Sequence, residues 1–224
     1  MQAGAQAAVL PVSRRTLHDE VVGRIRDMII EGHLPTGSRI HEGQLGARLG
    51  ISRTPLREAL KFLASEGLID LVPGRGAVVR TLTRVDVRDL LEVLTALESS
   101  AGRSACARAS EAEIAGVRRL HDAMMEFYAR RDRLEYYKLN QAIHSAIAAL
   151  SGNAYLAQVH ETIQQRLRRI RFLGNQGPEK WSAAVAEHEA MIAALEARDG
   201  EALATVLTEH LRRTWDRVID VVEP

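Results

Sequence analysis

A chain of 224 residues with 46% hydrophobic and 26% charged side chains can bury one large core or two modest ones, and shows neither global disorder nor low complexity. No run of 18 apolar residues occurs, so a transmembrane helix is excluded and a cytoplasmic protein is expected; the single Cys106 excludes an internal disulfide and every multi-cysteine zinc motif. Formal net charge is only +1, but residues 1–82 hold 11 Lys+Arg against 8 Asp+Glu while the remainder is net acidic, an asymmetry whose sign suits nucleic-acid binding at the front.

Residues 1–15 are rich in Ala and Gln and lack the charged start of a signal peptide, so they read as a flexible tail. Leu17, Val21, Ile25, Met28 and Ile29 then recur at helical spacing up to Gly32, which suits the left-handed position past a helix end. A Pro35-Gly37 turn leads to a short helix from about Glu42 to Leu49, ended by Gly50. Ser52 is placed to cap a third helix, with Pro55 in its first turn and Ile51 able to staple onto Leu56. On this helix Leu56, Leu60 and Leu63 form the apolar stripe, and Arg53, Arg57 and Lys61 repeat every four residues on an outward line. Leu68–Val72 and Ala77–Thr81 are β-prone runs around Pro73-Gly74-Arg75-Gly76, a hairpin with a basic tip.

Helix, tight glycine turn, basic helix and basic hairpin make a winged helix-turn-helix over 16–82. Arginine reaches both guanine acceptors with one planar fork, and a helix N-terminus with a serine hydroxyl can hold a phosphate. Residues 24–79, RIRDMIIEGHLPTGSRIHEGQLGARLGISRTPLREALKFLASEGLIDLVPGRGAVV, resemble the DNA-binding domain of GntR-type regulators over nearly its whole length. The resemblance implies DNA contacts from Ser52, Arg53, Thr54 and Arg57 on the recognition helix and from Gly74 and Arg75 on the wing. One departure is Gly43, where some relatives carry an arginine.

From Thr83 onward the pattern is amphipathic and helical, with six segments at about 84–108, 111–130, 132–150, 153–173, 178–197 and 199–221. Short connections make neighbours antiparallel, so 83–224 is expected to form an antiparallel six- to seven-helix bundle and the whole chain to be mainly α. His144 follows Asn140 by one turn, His188 sits among Val185, Met191, Ile192 and Leu195, and His210 among Leu203, Val206 and Leu207. Each histidine is a polar exception on an apolar stripe. Three on three different helices can be focused on one central point, where neutral imidazoles and an amide oxygen suit a borderline divalent ion such as Zn²⁺, Ni²⁺ or Mn²⁺.

This region resembles the FCD domain of the FadR-type branch of the GntR family, whose metal-binding members use Asp or Asn followed by three His. These fall on Asn140 and His144 in NQAIH, His188 in EHEAMIAAL and His210 in EHLRRT. The resemblance implies a homodimer addressing a palindromic duplex operator and a small effector, an organic acid, bound beside the ion. A second departure is Leu94, where many relatives carry an arginine four residues before the glutamate that is Glu98 here. Another cation must then hold a carboxylate, and Arg103, Arg166, Arg168, Arg169 and Arg171 are available.

The competing class is a metal-dependent hydrolase or lyase built on the same histidines. No H-E-x-x-H occurs, and Glu187 and Glu189 lie about 100° to either side of His188 on a helix, so no acid or base is expected to share its direction. A structural protein that never meets DNA would leave Arg53, Arg57, Lys61 and Arg75 without a purpose. The sequence therefore reads as a regulator, not an enzyme.

Overall fold

The computed structural model describes residues 16–174 and 178–222; the expected N-terminal tail lies outside the described residues. The front of the chain folds as α1 (Leu17–Glu31), α2 (Glu42–Leu49), α3 (Arg53–Ser65), β1 (Ile69–Val72) and β2 (Gly76–Val79). Thr16 starts α1 through a reciprocal capping box with Asp19, and Gly32 ends it at φ 89° with its N–H on the Ile29 carbonyl. Gly50 ends α2 in the same left-handed region, at φ 67°. Ser52 stands at the N-cap of α3 with extended backbone, but its hydroxyl makes no capping bond, which differs from the sequence expectation.

β1 and β2 pair antiparallel in the register Ile69↔Val79 to Val72↔Gly76, each one residue shorter than its β-prone run, with β2 starting one residue earlier than expected. Gly74 and Gly76 take φ 75° and 77° at the hairpin tip, where a side chain on either would be strained. Residues before α2 add a third edge, since Ile40 donates to the Ala77 carbonyl and Val79 to the Ser38 carbonyl. Val21, Ile25, Ile29, Leu45, Leu56, Leu60, Leu63, Ile69 and Val79 share one core beneath this sheet. Each contributes about 1.5–3 kcal/mol by leaving water, which fixes the outward direction of the Arg53–Arg57–Lys61 line on the opposite face.

The rest is helical: α4 (Arg84–Arg108), α5 (Glu111–Arg130), α6 (Arg133–Leu150), α7 (Ala154–Gly174), α8 (Pro178–Glu196) and α9 (Gly200–Val218), closed by a 3₁₀ turn at Ile219–Val221. Capping boxes at Thr83 with Asp86 and Ser110 with Glu113 begin α4 and α5, and Asp132 and Asp199 cap α6 and α9. α4 lies along α9, and the approach is close at Gly102, where a Cβ would fall 3.0 Å from Leu207 Cδ1. These six helices and the final turn agree with the expected six- to seven-helix bundle, and the fold is mainly α.

The two halves dock through α1. Ile30 packs with Tyr137 of α6 and Phe172 of α7, Lys138 pairs with Asp27 at 2.8 Å, and Arg169 Nη1 donates to the Ile29 carbonyl at 2.6 Å. The helix that carries the front of the winged domain is thus held by the same two helices that line the bundle's polar centre.

Candidate nucleic-acid interface and metal centre

Ser52, Arg53, Thr54 and Arg57 are all exposed at the front of α3, and Gly74 and Arg75 are exposed at the tip of the β1–β2 hairpin. α3 places its N-terminus outward because Leu56, Ala59, Leu60 and Leu63 commit its other face to the core. Arg57 is not free: its Nε donates to Glu42 Oε2 at 2.8 Å, so α2 and α3 are pinned by the guanidinium expected to read a base. Lys61 similarly meets Glu58 at 2.9 Å. At Gly43 a Cβ would meet nothing within 4 Å, so the position where some relatives carry arginine is open surface here.

In the bundle, the three predicted histidines converge. His144 of α6, His188 of α8 and His210 of α9 are buried, and one ring nitrogen from each lies within 4.8 Å of the others. Nε2 of His144 and Nε2 of His188 are 3.3 Å apart. Two nitrogens each roughly 2.0–2.1 Å from one tetrahedral ion are separated by about 3.3–3.4 Å, so this spacing fits shared coordination.

The far ring nitrogens are occupied by carboxylates that the sequence reading did not anticipate. His144 Nδ1 meets Glu98 Oε2 at 3.0 Å, and His210 Nδ1 meets Glu187 Oε2 at 2.7 Å. Both rings are therefore assigned as Nδ1–H donors with the Nε2 lone pair directed inward, the tautomer that ligation requires. Glu98 also binds His160 Nε2 at 3.1 Å, and Glu187 is held by Arg217 through two bonds of 3.0 and 3.1 Å.

Burial is the largest influence on these groups. It pushes His210 down to about 4 and His144 below its ordinary value, and it drives His188 well below, with His210 and His144 adding to the effect. Burial works to raise the two carboxyls, but His144 and His160 outweigh it and hold Glu98 well below the usual range. His210 and Arg217 likewise hold Glu187 at about 2. At neutral pH the cluster thus presents neutral imidazoles backed by ionised carboxylates.

Asn140 reaches the same point. Its Nδ2 lies 3.0 Å from His188 Nε2 and its Oδ1 accepts from Gln141 Nε2 at 3.0 Å, so ligation through oxygen requires the amide to turn over. Arg171 of α7 completes the cluster, with Nη2 at 3.2 Å from His144 Nε2 and 3.4 Å from His210 Nε2. Of the five arginines considered from sequence, it alone sits here. Arg103 pairs with Glu201, Arg168 with Glu161, Arg169 caps α1, and Arg166 is exposed. Leu94 is fully buried in an apolar cluster with Val87, Leu91 and Leu167.

Glu187, expected to point away from His188, reaches His210 on the next helix instead of solvent. Glu98, Arg171 and Glu187 each fall on the buried stripe of their own helix, behind Leu94, Leu167 and Ala184 respectively. The rule that singled out the histidines, a polar residue on an apolar stripe, would have found all three.

An exposed basic recognition helix and hairpin, carried by a helix that is docked onto a bundle with a polar core, define a winged-helix transcriptional regulator. Residues 17–79 match the bacterial regulatory proteins of the gntR family, and residues 89–213 match the FCD domain. The chain is 30% identical over 204 residues to the Nta operon transcriptional regulator of Aminobacter aminovorans, covering 87% of this chain and 91% of that protein. It is also 30% identical over 203 residues to a probable D-xylose utilization operon transcriptional repressor of Paenarthrobacter nicotinovorans, covering 89% of each. Among solved structures, E. coli McbR/YncC shares the fold with a TM-score of 0.79 at 20% identity, over 93% of this chain and 99% of that one. The chain belongs to the GntR family of transcriptional regulators and carries an FCD domain. Among the described residues no helix is long and apolar enough to cross a membrane.

Proposed function

We propose that this regulator binds a specific palindromic operator as a homodimer and that a small organic acid, bound beside a divalent ion in the bundle, sets its operator affinity. Residues 16–82 form the DNA-binding domain and 83–224 the ion-binding, effector-binding and dimerisation domain. Ser52, Arg53, Thr54 and Arg57 enter the major groove with the front of α3, while Gly74 and Arg75 follow the backbone beside it.

Asn140, His144, His188 and His210 hold the ion. When bound, the ion supplies a Lewis-acidic coordination position for an effector carboxylate oxygen. The chain's own residues do the rest: Glu98 and Glu187 orient the imidazoles, burial keeps them unprotonated, and α6 and α7 connect the pocket to α1 of the DNA-binding domain. An effector that favours one placement of these helices shifts operator affinity only by its differential affinity for the two placements.

The observation that carries this reading is the convergence of three buried imidazoles from three helices, two of them oriented by carboxylates, beside the helices that grip α1. Elemental analysis of purified protein tests the ion: His144→Ala with His188→Ala should abolish bound metal, and full retention would remove the site. Selection of fragments from the organism's own genome tests the DNA reading. Enrichment of one two-fold symmetric sequence is expected, and binding no better than to random competitor at modest salt overturns it.

A further inference from the structure

The nitrogen lone pairs that a divalent ion requires are already in use. Arg171 Nη2 reaches Nε2 of both His144 and His210, and its Nη1 lies 3.5 Å from Gln141 Oε1. The side chain is only 4% exposed. The two acids of the cluster, Glu98 and Glu187, face the outer nitrogens of His144 and His210, so Arg171 is a buried cation whose described partners are all neutral. Such a charge is costly to hold without a counter-ion, and it remains because the imidazoles accept from it.

An imidazole Nε2 has a single in-plane lone pair, which either accepts an N–H or binds a metal. An ion about 2.0–2.1 Å from these nitrogens would also stand against the positive Nη2, in a medium where like charges repel strongly. Occupancy by the two cations is mutually exclusive.

We propose that Arg171 is an internal occupant of the ion site: its guanidinium closes the metal-free cluster, a divalent ion expels it, and the exchange moves the C-terminal turn of α7 against α1. This rests on the metal reading above. The expelled side chain must widen a narrow recess beside it. That recess is lined by Tyr137, Asn140, Gly174, His210, Thr214 and Arg217, and the buried Tyr137 hydroxyl has no hydrogen-bond partner among the described residues. Its oxygen can accept from the guanidinium.

The same turn of α7 grips the DNA-binding domain. Arg169, two residues earlier, donates to the Ile29 carbonyl, and Phe172, the next residue, packs on Ile30 with Arg133 stacked 4.0 Å from its ring centre. At about 100° per residue Arg169 and Arg171 stand roughly 200° apart, so α7 lies between the cluster and α1 and any shift of one face is felt on the other.

Full-length protein stripped with EDTA and titrated calorimetrically with Zn²⁺ or Ni²⁺, alongside a competing chelator, tests the exchange. Arg171→Met, which keeps bulk without charge or donors, should bind either ion about tenfold more tightly or better, because no charge-assisted bonds need be broken first. Arg171→Gln provides a second variant should the first fail to fold, with tightening also expected. Amide exchange at residues 29–34 should change on adding ion to the wild type and stay constant in the variants. Equal or weaker ion binding by the folded variants overturns the inference and leaves the metal reading intact, whereas absence of binding by wild type and variants alike overturns both.

Discussion

Arg169 Nη1 and the carbonyl oxygen of Ile29 meet at 2.6 Å across the junction between bundle and winged domain, where α1 ends at Gly32. The guanidinium supplies a charged donor to a helix terminus whose carbonyls are short of partners. Arg169→Ala is expected to loosen the end of α1 by on the order of 1 kcal/mol, as befits a half-buried charge-assisted bond. Amides of Gly32 and Leu34 should then exchange faster while those within α4 and α9 keep their protection. Unchanged exchange at both would show that the docking rests on Ile30, Tyr137 and Phe172 and on the Lys138–Asp27 pair without Arg169.

Arg57 and Glu42 give a second prediction. Arg57→Ala should weaken specific operator binding by about 1–3 kcal/mol if the guanidinium makes a bidentate base contact. Glu42→Ala removes the carboxylate that holds Arg57 Nε and takes one negative charge away from the proposed phosphate-facing surface. Competition assays should show it binding random duplex more tightly than wild type does, with a narrower gap to the operator. A Glu42→Ala protein with unchanged affinity for both duplexes would mean that Arg57 does not approach DNA.

Glu98 orients His144 and His160 together and is 2% exposed. Glu98→Gln keeps the shape but loses the anion that favours the Nδ1–H tautomer. Its ion affinity, measured against a chelator of known strength, should fall by about 10- to 100-fold. Retained affinity would assign Glu98 to packing.

The buried histidines make metal-free protein acid-sensitive. His210 is pushed down to about 4 by burial from an ordinary value of 6.5, so between those limits the unfolded chain binds a proton that the folded chain refuses. Stability contributed by the neutral ring is therefore complete above about pH 6.5 and declines as pH falls toward 4; His144 and His188 shift in the same direction. Melting temperatures of EDTA-treated protein should drop steadily from pH 7 to pH 5, with a shallower slope in His210→Asn. A flat profile for wild type would contradict the assignment of neutral buried imidazoles.

Helix boundaries were legible because their causes are local. Gly32 and Gly50 end α1 and α2, and the breaks near Ser110, Asp132 and Asp199 mark caps whose hydrogen bonds span three residues. The three histidines were legible for a related reason: a 3.6-residue period exposes a polar residue on an apolar stripe. Ser52 shows the limit, since its N-cap position was read correctly but its hydroxyl does not make the bond.

The partners of those histidines were not assigned, because each pairing joins residues far apart in the chain: Glu98 and His144 are separated by 46 positions, Arg171 and His144 by 27, Glu187 and His210 by 23. Five arginines stood as candidate cations on sequence, and packing chose Arg171 by turning one face of α7 inward.

Local chemistry in the sequence thus determined where helices start and stop, which faces are apolar, and that a basic helix and a glycine-tipped hairpin follow one another. Tertiary packing alone decided which charge meets which ring, that Glu42 holds Arg57, and that α7 stands between the histidine cluster and α1. The division follows from range: capping and periodicity act within one or two turns, whereas a buried charge selects its partner only after separate helices have been brought together and water removed.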